Sequence, residues 1–283
     1  MIWRFRSRRM DFSKTRLMGI LNLTPDSFSD GGCFSEPQAA VAHAVRLLAE
    51  GADVLDIGAE STRPGASPVS CKEELERILP VLSEIRKKTD APVSIDTTKP
   101  AVARRCLELG ADIINDVSGL RDSGSEMAEA VKHYGAGLIL MHRRGTPVSM
   151  QGLAQYADVV SEVAAELSGS VALALVAGIE RDCLAVDPGL GFSKTAEQNL
   201  EILKHLDAFL NLGFPVVLGH SRKSFIGEWT GRDARERGYG AAAVSAAAVC
   251  AGIHLLRIHD VAATRDVACV AEKLRGECHV GTF

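Results

Sequence analysis

Asp96, Asn115 and Asp187 each stand at the end of a short apolar run rich in Val, Ile or Leu. A polar group in such surroundings is costly unless it is hydrogen-bonded. A carboxylate there is well satisfied by a heterocycle that carries adjacent N–H and NH2 donors, because charge-assisted bonds to two such donors are strong and directional. Two other runs lead into basic groups, Gly219-His220-Ser221-Arg222-Lys223-Ser224 and Arg257-Ile258-His259-Asp260. Arg257 and His259 are two residues apart, so on a strand they share a face. Ser224 falls near a helix start, where free backbone N–H groups favour a carboxylate or phosphate. Arg63, in Glu60-Ser61-Thr62-Arg63-Pro64-Gly65, can grip a phosphate bidentately. The stretch Asn22-Leu23-Thr24-Pro25-Asp26-Ser27-Phe28-Ser29-Asp30-Gly31-Gly32 is too polar and glycine-rich for a core and reads as a lid loop. Together these groups suit a neutral, donor-rich ring held beside an anion. Plainer roles exist for each alone: aspartates satisfied by backbone amides, an Arg63 ion pair with Glu60 or Glu73, a His259–Asp260 pair. None of them explains why acidic and basic groups recur after successive apolar runs.

Elements that could position these groups follow from the runs themselves. Eight are found, at 17–21, 53–57, 92–95, 112–115, 137–141, 184–186, 215–218 and 254–258, with helix-patterned segments between them. Continuous rather than alternating apolarity is expected of strands buried on both faces, and intervening helices supply the crossovers of a parallel sheet. Gly51, Gly110, Gly135, Gly178, Gly213 and Gly252 each fall where a helix should end before the next strand, as left-handed caps do. Helix-to-strand connections are short, whereas the strand-to-helix loops 22–36, 59–71, 118–126, 142–152, 188–198 and 219–238 are long and polar. This predicts a single-domain α/β fold, a (β/α)8 TIM barrel over residues 17–275, with its site at the C-terminal ends of the strands. An open doubly wound sheet is the alternative, but it would gather ligand groups at one switch point. Residues 1–16 read as a packed or frayed basic extension and 276–283 as a tail.

The chain has 283 residues, 46% hydrophobic and 24% charged, with a formal net charge of −4. These values fit one globular enzyme-sized domain and argue against a nucleic-acid binder, which needs a basic face. Seven dispersed cysteines without a C-x-x-C pair suggest reduced thiols in the cytoplasm. No secretory signal is expected at the N-terminus. The most membrane-like stretch, 241–256, is interrupted by Ser245, Gly252 and His254 and reads as a buried helix followed by a strand. His142 lacks a second ligand at metal spacing and reads as a satisfied histidine; His43, His133, His205 and His279 read as solvated. No H-E-x-x-H, nucleophile elbow or Walker sequence is present.

Six segments in order, G-I-L-N-L-T-P-D-S-F-S-D-G-G from Gly19, E-S-T-R-P-G from Glu60, S-I-D-T from Ser94, I-N-D-V from Ile114, D-P-G-L-G-F from Asp187 and S-R-K-S from Ser221, resemble the dihydropteroate synthase family of pterin-binding enzymes. The resemblance runs from Leu17 to about Val261. It implies coupling of 6-hydroxymethyl-7,8-dihydropterin diphosphate to p-aminobenzoate in folate synthesis. By the same resemblance, Asp96, Asn115, Asp187, Lys223 and Met141 contact the pterin. Asn22, Thr62, Arg63, Ser221, Arg257 and His259 take the diphosphate, and Asn22 meets Mg2+. Phe28, Thr62, Arg63, Pro64, Phe192, Lys223 and Ser224 surround p-aminobenzoate, where sulfonamides compete. Asp30, Arg63, Lys223, Arg257 and His259 become the catalytic set of an SN1-like displacement. A homodimer, through the small-residue helix 240–252, is the family expectation. Ser193 stands where a glycine is frequent, placing an extra side chain near the p-aminobenzoate pocket, and His142-Arg143-Arg144-Gly145-Thr146-Pro147 also departs from the pattern. Two other readings are a methyltransferase using a methylated tetrahydropterin and a corrinoid protein, and a paralogue that binds a pterin without catalysis.

Overall fold

The computed structural model describes residues 1–24, 36–61 and 65–277. Two antiparallel strands, β1 (Ile2–Phe5) and β2 (Arg8–Asp11), precede eight parallel ones: β3 (Arg16–Asn22), β4 (Val54–Gly58), β5 (Val93–Asp96), β6 (Ile113–Asp116), β7 (Gly137–Met141), β8 (Leu184–Asp187), β9 (Val217–Gly219) and β10 (Leu255–Ile258). Hydrogen bonding runs β8-β7-β6-β5-β4-β3-β10-β9, and a parallel bridge between Val186 and Val216 joins β8 to β9. The sheet therefore closes into a barrel, and the open-sheet alternative falls. Continuous apolar runs give the strands their fully buried character, complete in β4 to β8.

Around the barrel lie α1 (Glu36–Ala49), α2 (Cys71–Lys88), α3 (Pro100–Glu108), α4 (Gly124–Tyr134), α5 (Val159–Val176), α6 (Ala196–Lys204), α7 (Leu206–Leu210), α8 (Ser224–Thr230), α9 (Gly238–Ala251) and α10 (Val261–Glu277). The six expected cap glycines all have positive φ, from 58° at Gly135 to 103° at Gly51. Tight left-handed turns at one end leave the elaborated loops to the other. Among the described helices, α5 rather than 241–256 is long and apolar enough to cross a membrane. Its Val163, Leu167, Val171 and Ala174 are instead buried in the core shared with the strands. His43 is half-buried rather than solvated, and burial lowers its pKa.

The basic N-terminus is packed, not frayed. Alternation in Trp3-Arg4-Phe5 puts two rings on one face of β1 and the Arg4 guanidinium on the other, and Arg6 begins the turn to β2. Trp3 and Phe5, 0% and 1% exposed, enter the strand-start end of the barrel against Met18, Val54, Ile113, Ile139, Ala185, Val217 and Leu255. The rings meet edge to face at 5.3 Å, and Trp3 Nε1 donates to the Cys183 carbonyl at 2.9 Å. Gly137 makes the fit possible, since a Cβ there would lie 3.1 Å from the Trp3 ring and from Phe5 Cβ. Arg4 pairs with Glu180 and Asp182, and Arg8 with Asp112.

Candidate active site

Parallel register sets the floor of the opposite end. Asp96 aligns with Gly58 of β4 and Asn115 of β6, Asp187 with Met141 of β7, and Arg257 with Gly219 of β9. Gly58 and Gly219 carry no side chain at this level, and a Cβ on Gly219 would touch both Arg257 and Asp187. The two glycines keep side chains out of a small space, about 20 Å3, lined by Asp96, Asn115, Val117, Met141, Asp187, Gly189, Phe192, Gly219, Lys223 and Arg257. All five residues expected to contact a pterin are therefore brought together. A shallower depression of about 600 Å3 on the flank, beside Tyr156, Asp158, Glu201 and His205, holds none of the expected groups.

Arg257 organises the acidic floor. Its Nε donates to Asp56 Oδ2 at 2.6 Å and its Nη2 to Asp96 Oδ2 at 2.7 Å. Asn115 Nδ2 also approaches Asp56, at 3.4 Å, and Asp56 Oδ1 is buried with no hydrogen-bond partner. Burial drives the Asp96 carboxyl above its usual range against the pull of Arg257. Burial likewise pushes Asp187 up to about 6, opposed by the Gly189 N–H and Lys223. The Gly189 N–H reaches Asp187 Oδ1 at 2.7 Å. For Arg257, burial favours proton loss, but Asp56 and Asp96 more than offset it and its pKa is raised. Desolvated carboxylates of this kind lack water and accept donors from a bound ring at low cost.

Towards the mouth, His259 Nδ1 meets Ser221 Oγ at 2.9 Å, and Asp260 accepts the Ala263 N–H at the start of α10. Lys223 precedes α8, with its Nζ 3.8 Å from the centre of the Phe192 ring, a cation–π contact. Ser224 opens α8 as expected. Asn22 ends β3 beside Gly58, half-buried at the same mouth. Glu60 and Glu73, the surface partners considered for Arg63, pair with Lys99 and Arg77. Phe28, Asp30, Thr62, Arg63 and Pro64 lie outside the described residues.

Sequence reasoning missed Asp56 and Lys194. Asp56 hides within V-L-D-I-G, where its only signal is a charge inside an apolar strand. Ser193, expected to add a side chain near the aryl pocket, directly follows Phe192 and is fully buried, with φ at 47°. In this left-handed conformation its Oγ accepts the Arg144 N–H at 2.9 Å and donates to the Phe192 carbonyl at 2.8 Å, tying two loops together. Lys194 beside it is buried, its pKa lowered by burial to about 7, with Asp187 opposing. His142 is a satisfied histidine, as expected, with Nε2 3.1 Å from Glu166 and Nδ1 2.9 Å from Lys194.

A family model described as pterin binding enzyme matches residues 18–259. The chain belongs to the pterin-binding enzyme family. The matched span runs from β3 to the end of β10 and so contains every strand of the barrel and the whole floor of the well. A dihydropteroate synthase from Synechocystis sp. is 45% identical over 262 residues, 92% of this chain and 90% of the relative. Among solved structures, a Xanthomonas albilineans dihydropteroate synthase with 4-aminobenzoic acid aligns with TM-score 0.89 and 45% identity over 95% of this chain and 96% of that one. A Yersinia pestis dihydropteroate synthase in complex with a sulfonamide drug aligns with TM-score 0.91 and 38% identity, over 98% and 100%. Family members thus share this architecture from end to end.

Proposed function

We infer that this chain is a transferase, a dihydropteroate synthase that joins 6-hydroxymethyl-7,8-dihydropterin diphosphate to p-aminobenzoate and releases diphosphate. The observation that carries this reading is the meeting of Asp96, Asn115 and Asp187 with Lys223 and Arg257 in one well, with His259 and Ser221 at its mouth. The pterin lies on the floor: Asp187 and Asn115 take its aminopyrimidine edge, Asp96 its other ring and Lys223 its carbonyl oxygen and N5, with Met141 packed beside it. Arg257, His259, Ser221, Asn22, Thr62 and Arg63 take the diphosphate.

Bond breaking comes first. The methylene C–O bond ionises, the electron pair leaves with the diphosphate, and the dihydropterin ring delocalises the cation. Arg257 and His259 stabilise the departing charge, an electrostatic contribution that matters most in a dry site. The amine nitrogen then attacks the methylene, and its proton passes to diphosphate or water. An aryl amine is already neutral near pH 7, so orientation rather than a strong base is what the protein supplies. Phe192, Ser224, Pro64 and Phe28 hold the ring, and Asp30 screens the cation under the lid. Sulfonamides occupy the same place. An Asn22 carboxamide at the mouth suits Mg2+, which keeps waters and substrate phosphate oxygens and needs few protein ligands. When bound there, the ion would neutralise charge on the leaving group.

A cytoplasmic homodimer built on the small-residue face of α9, without a nucleic-acid or membrane partner, completes the reading. Tyr239, 94% exposed on α9, supports such a contact surface. The test is an assay of diphosphate and dihydropteroate with and without Mg2+ and p-aminobenzoate. Turnover is expected only with both substrates and the metal, and Asp187→Ala and Lys223→Ala should each reduce it about 1,000-fold. Undiminished turnover in both variants, or methyl transfer to a corrinoid protein without diphosphate release, would overturn it.

A further inference from the structure

Between the floor of the well and α5 runs a polar chain, buried at Lys194 and His142 and half-buried at Glu166, for which substrate binding gives no account. Lys194 Nζ lies 2.9 Å from His142 Nδ1, 3.0 Å from the Phe192 carbonyl and 3.1 Å from the Gly189 carbonyl. An ammonium has three donors, and here each has an acceptor. His142 can accept at Nδ1 only if its proton sits on Nε2, which faces Glu166. Burial, reinforced by Lys194, holds His142 down at about 4, so the ring is neutral. Glu166 in turn receives Arg144 and Arg121.

We propose that Lys194 is a positioning residue for both halves of the well, acting through the carbonyls of Gly189 and Phe192. The inference rests on the synthase reading for the identity of the two substrates. Gly189 approaches the end of β7 so closely that a Cβ would lie 2.0 Å from the His142 carbonyl oxygen. Such an approach needs a fastener, and Lys194 bonds the residues on both sides of it. Gly189 supplies the N–H held by Asp187, which fixes the carboxylate facing the pterin. Phe192 carries the ring beneath Lys223, packed on Val117, Met141 and Met150, which faces the aryl amine. One ammonium thereby sets two substrate contacts that it does not itself make.

Lys194→Met and Lys194→Gln in the full-length chain test the proposal, read by kcat, the KM of each substrate, thermal midpoint and amide exchange. Displacing groups around a reacting pair by about 1 Å costs on the order of 100-fold. Lys194→Met should therefore lose about that much in kcat/KM, with both KM values raised and exchange quickened in 188–193 but not in the strands. Lys194→Gln keeps two donors and should fall between this variant and the wild type. A merely structural lysine would lower the midpoint or the active fraction and leave both KM values alone, which would overturn the proposal. Should Lys194→Met fail to fold, wild-type KM values in Lys194→Gln would do the same. A wild-type chain that releases no diphosphate removes the synthase reading, and this proposal with it; normal wild-type turnover with unchanged KM values removes this proposal alone.

Discussion

The two ends of the barrel are built from the same eight strands and obey opposite rules. At the strand starts, Trp3 and Phe5 fill the interior beside Met18, Ile113 and Leu255, while the arginines of the hairpin stay on its outer side. At the strand ends, Asp56, Asp96, Asp187 and Arg257 occupy the interior, and Asp56 Oδ1 goes without a partner. Burying apolar area stabilises the fold, whereas buried charge costs unless it is fully paired. The lower end therefore supplies stability that the upper end consumes, and substitutions at the two ends should separate activity from stability.

Arg257→Met should have the largest effect, since it leaves Asp56 and Asp96 buried together. A turnover loss of about 1,000-fold and a stability loss of roughly 3–5 kcal/mol are expected in steady-state assays and urea melts. Turnover within tenfold of wild type would break the contrast. Trp3→Ala should cost a similar roughly 3–5 kcal/mol through the cavity it opens, yet leave kcat/KM unchanged in the protein that remains folded. A raised KM would mean that the two ends are coupled.

Asp187→Asn should gain stability while losing activity. Its carboxyl titrates at about 6 in the folded chain against 3.8 for the ordinary side chain, so ionisation opposes folding as pH rises between those values. The thermal midpoint of the ligand-free variant should exceed wild type by roughly 5 °C at pH 8, and the gain should fade as pH falls through 6 towards 4. A gain that grows on acidification would reverse the sign. Smallest is a glycine pair. Gly137→Ala pushes a methyl to 3.1 Å from the Trp3 ring and Phe5 Cβ and should cost about 1 kcal/mol with normal kinetics. Gly219→Ala meets its neighbours only at 3.7–3.9 Å and should leave stability intact while raising the KM of the pterin substrate.

The barrel was legible because its signals are local: unbroken apolar runs for the strands and a glycine after each of six helices. The strand-end site was legible for the same reason, because Asp96 and Asp187 end their strands and Asn115 lies one residue from the end of β6. Asp56 escaped because it lies inside its run, and only closure of the barrel brings Arg257 from 201 positions away to meet it. Lys194, His142 and Glu166 stand on three separate elements, so no spacing announces their contact. The bonds of Ser193 were not legible because its side-chain direction follows from a left-handed backbone that serine rarely adopts. The hairpin did carry a signal, since Trp3-Arg4-Phe5-Arg6 alternates with the period of a strand, but the basic charge drew the eye from the pattern.

Among the described residues, Trp3 and Phe5 close the strand-start end of the barrel and leave entry to the strand ends. Whatever sits deepest must have arrived before anything above it, and it cannot be exchanged until the upper occupant has gone. Traffic is last in, first out. On the proposed reading, with the pterin on the floor, the bicyclic substrate should load first, an aryl competitor should trap rather than displace it, and the joined product should back out whole through the entrance by which its parts came in.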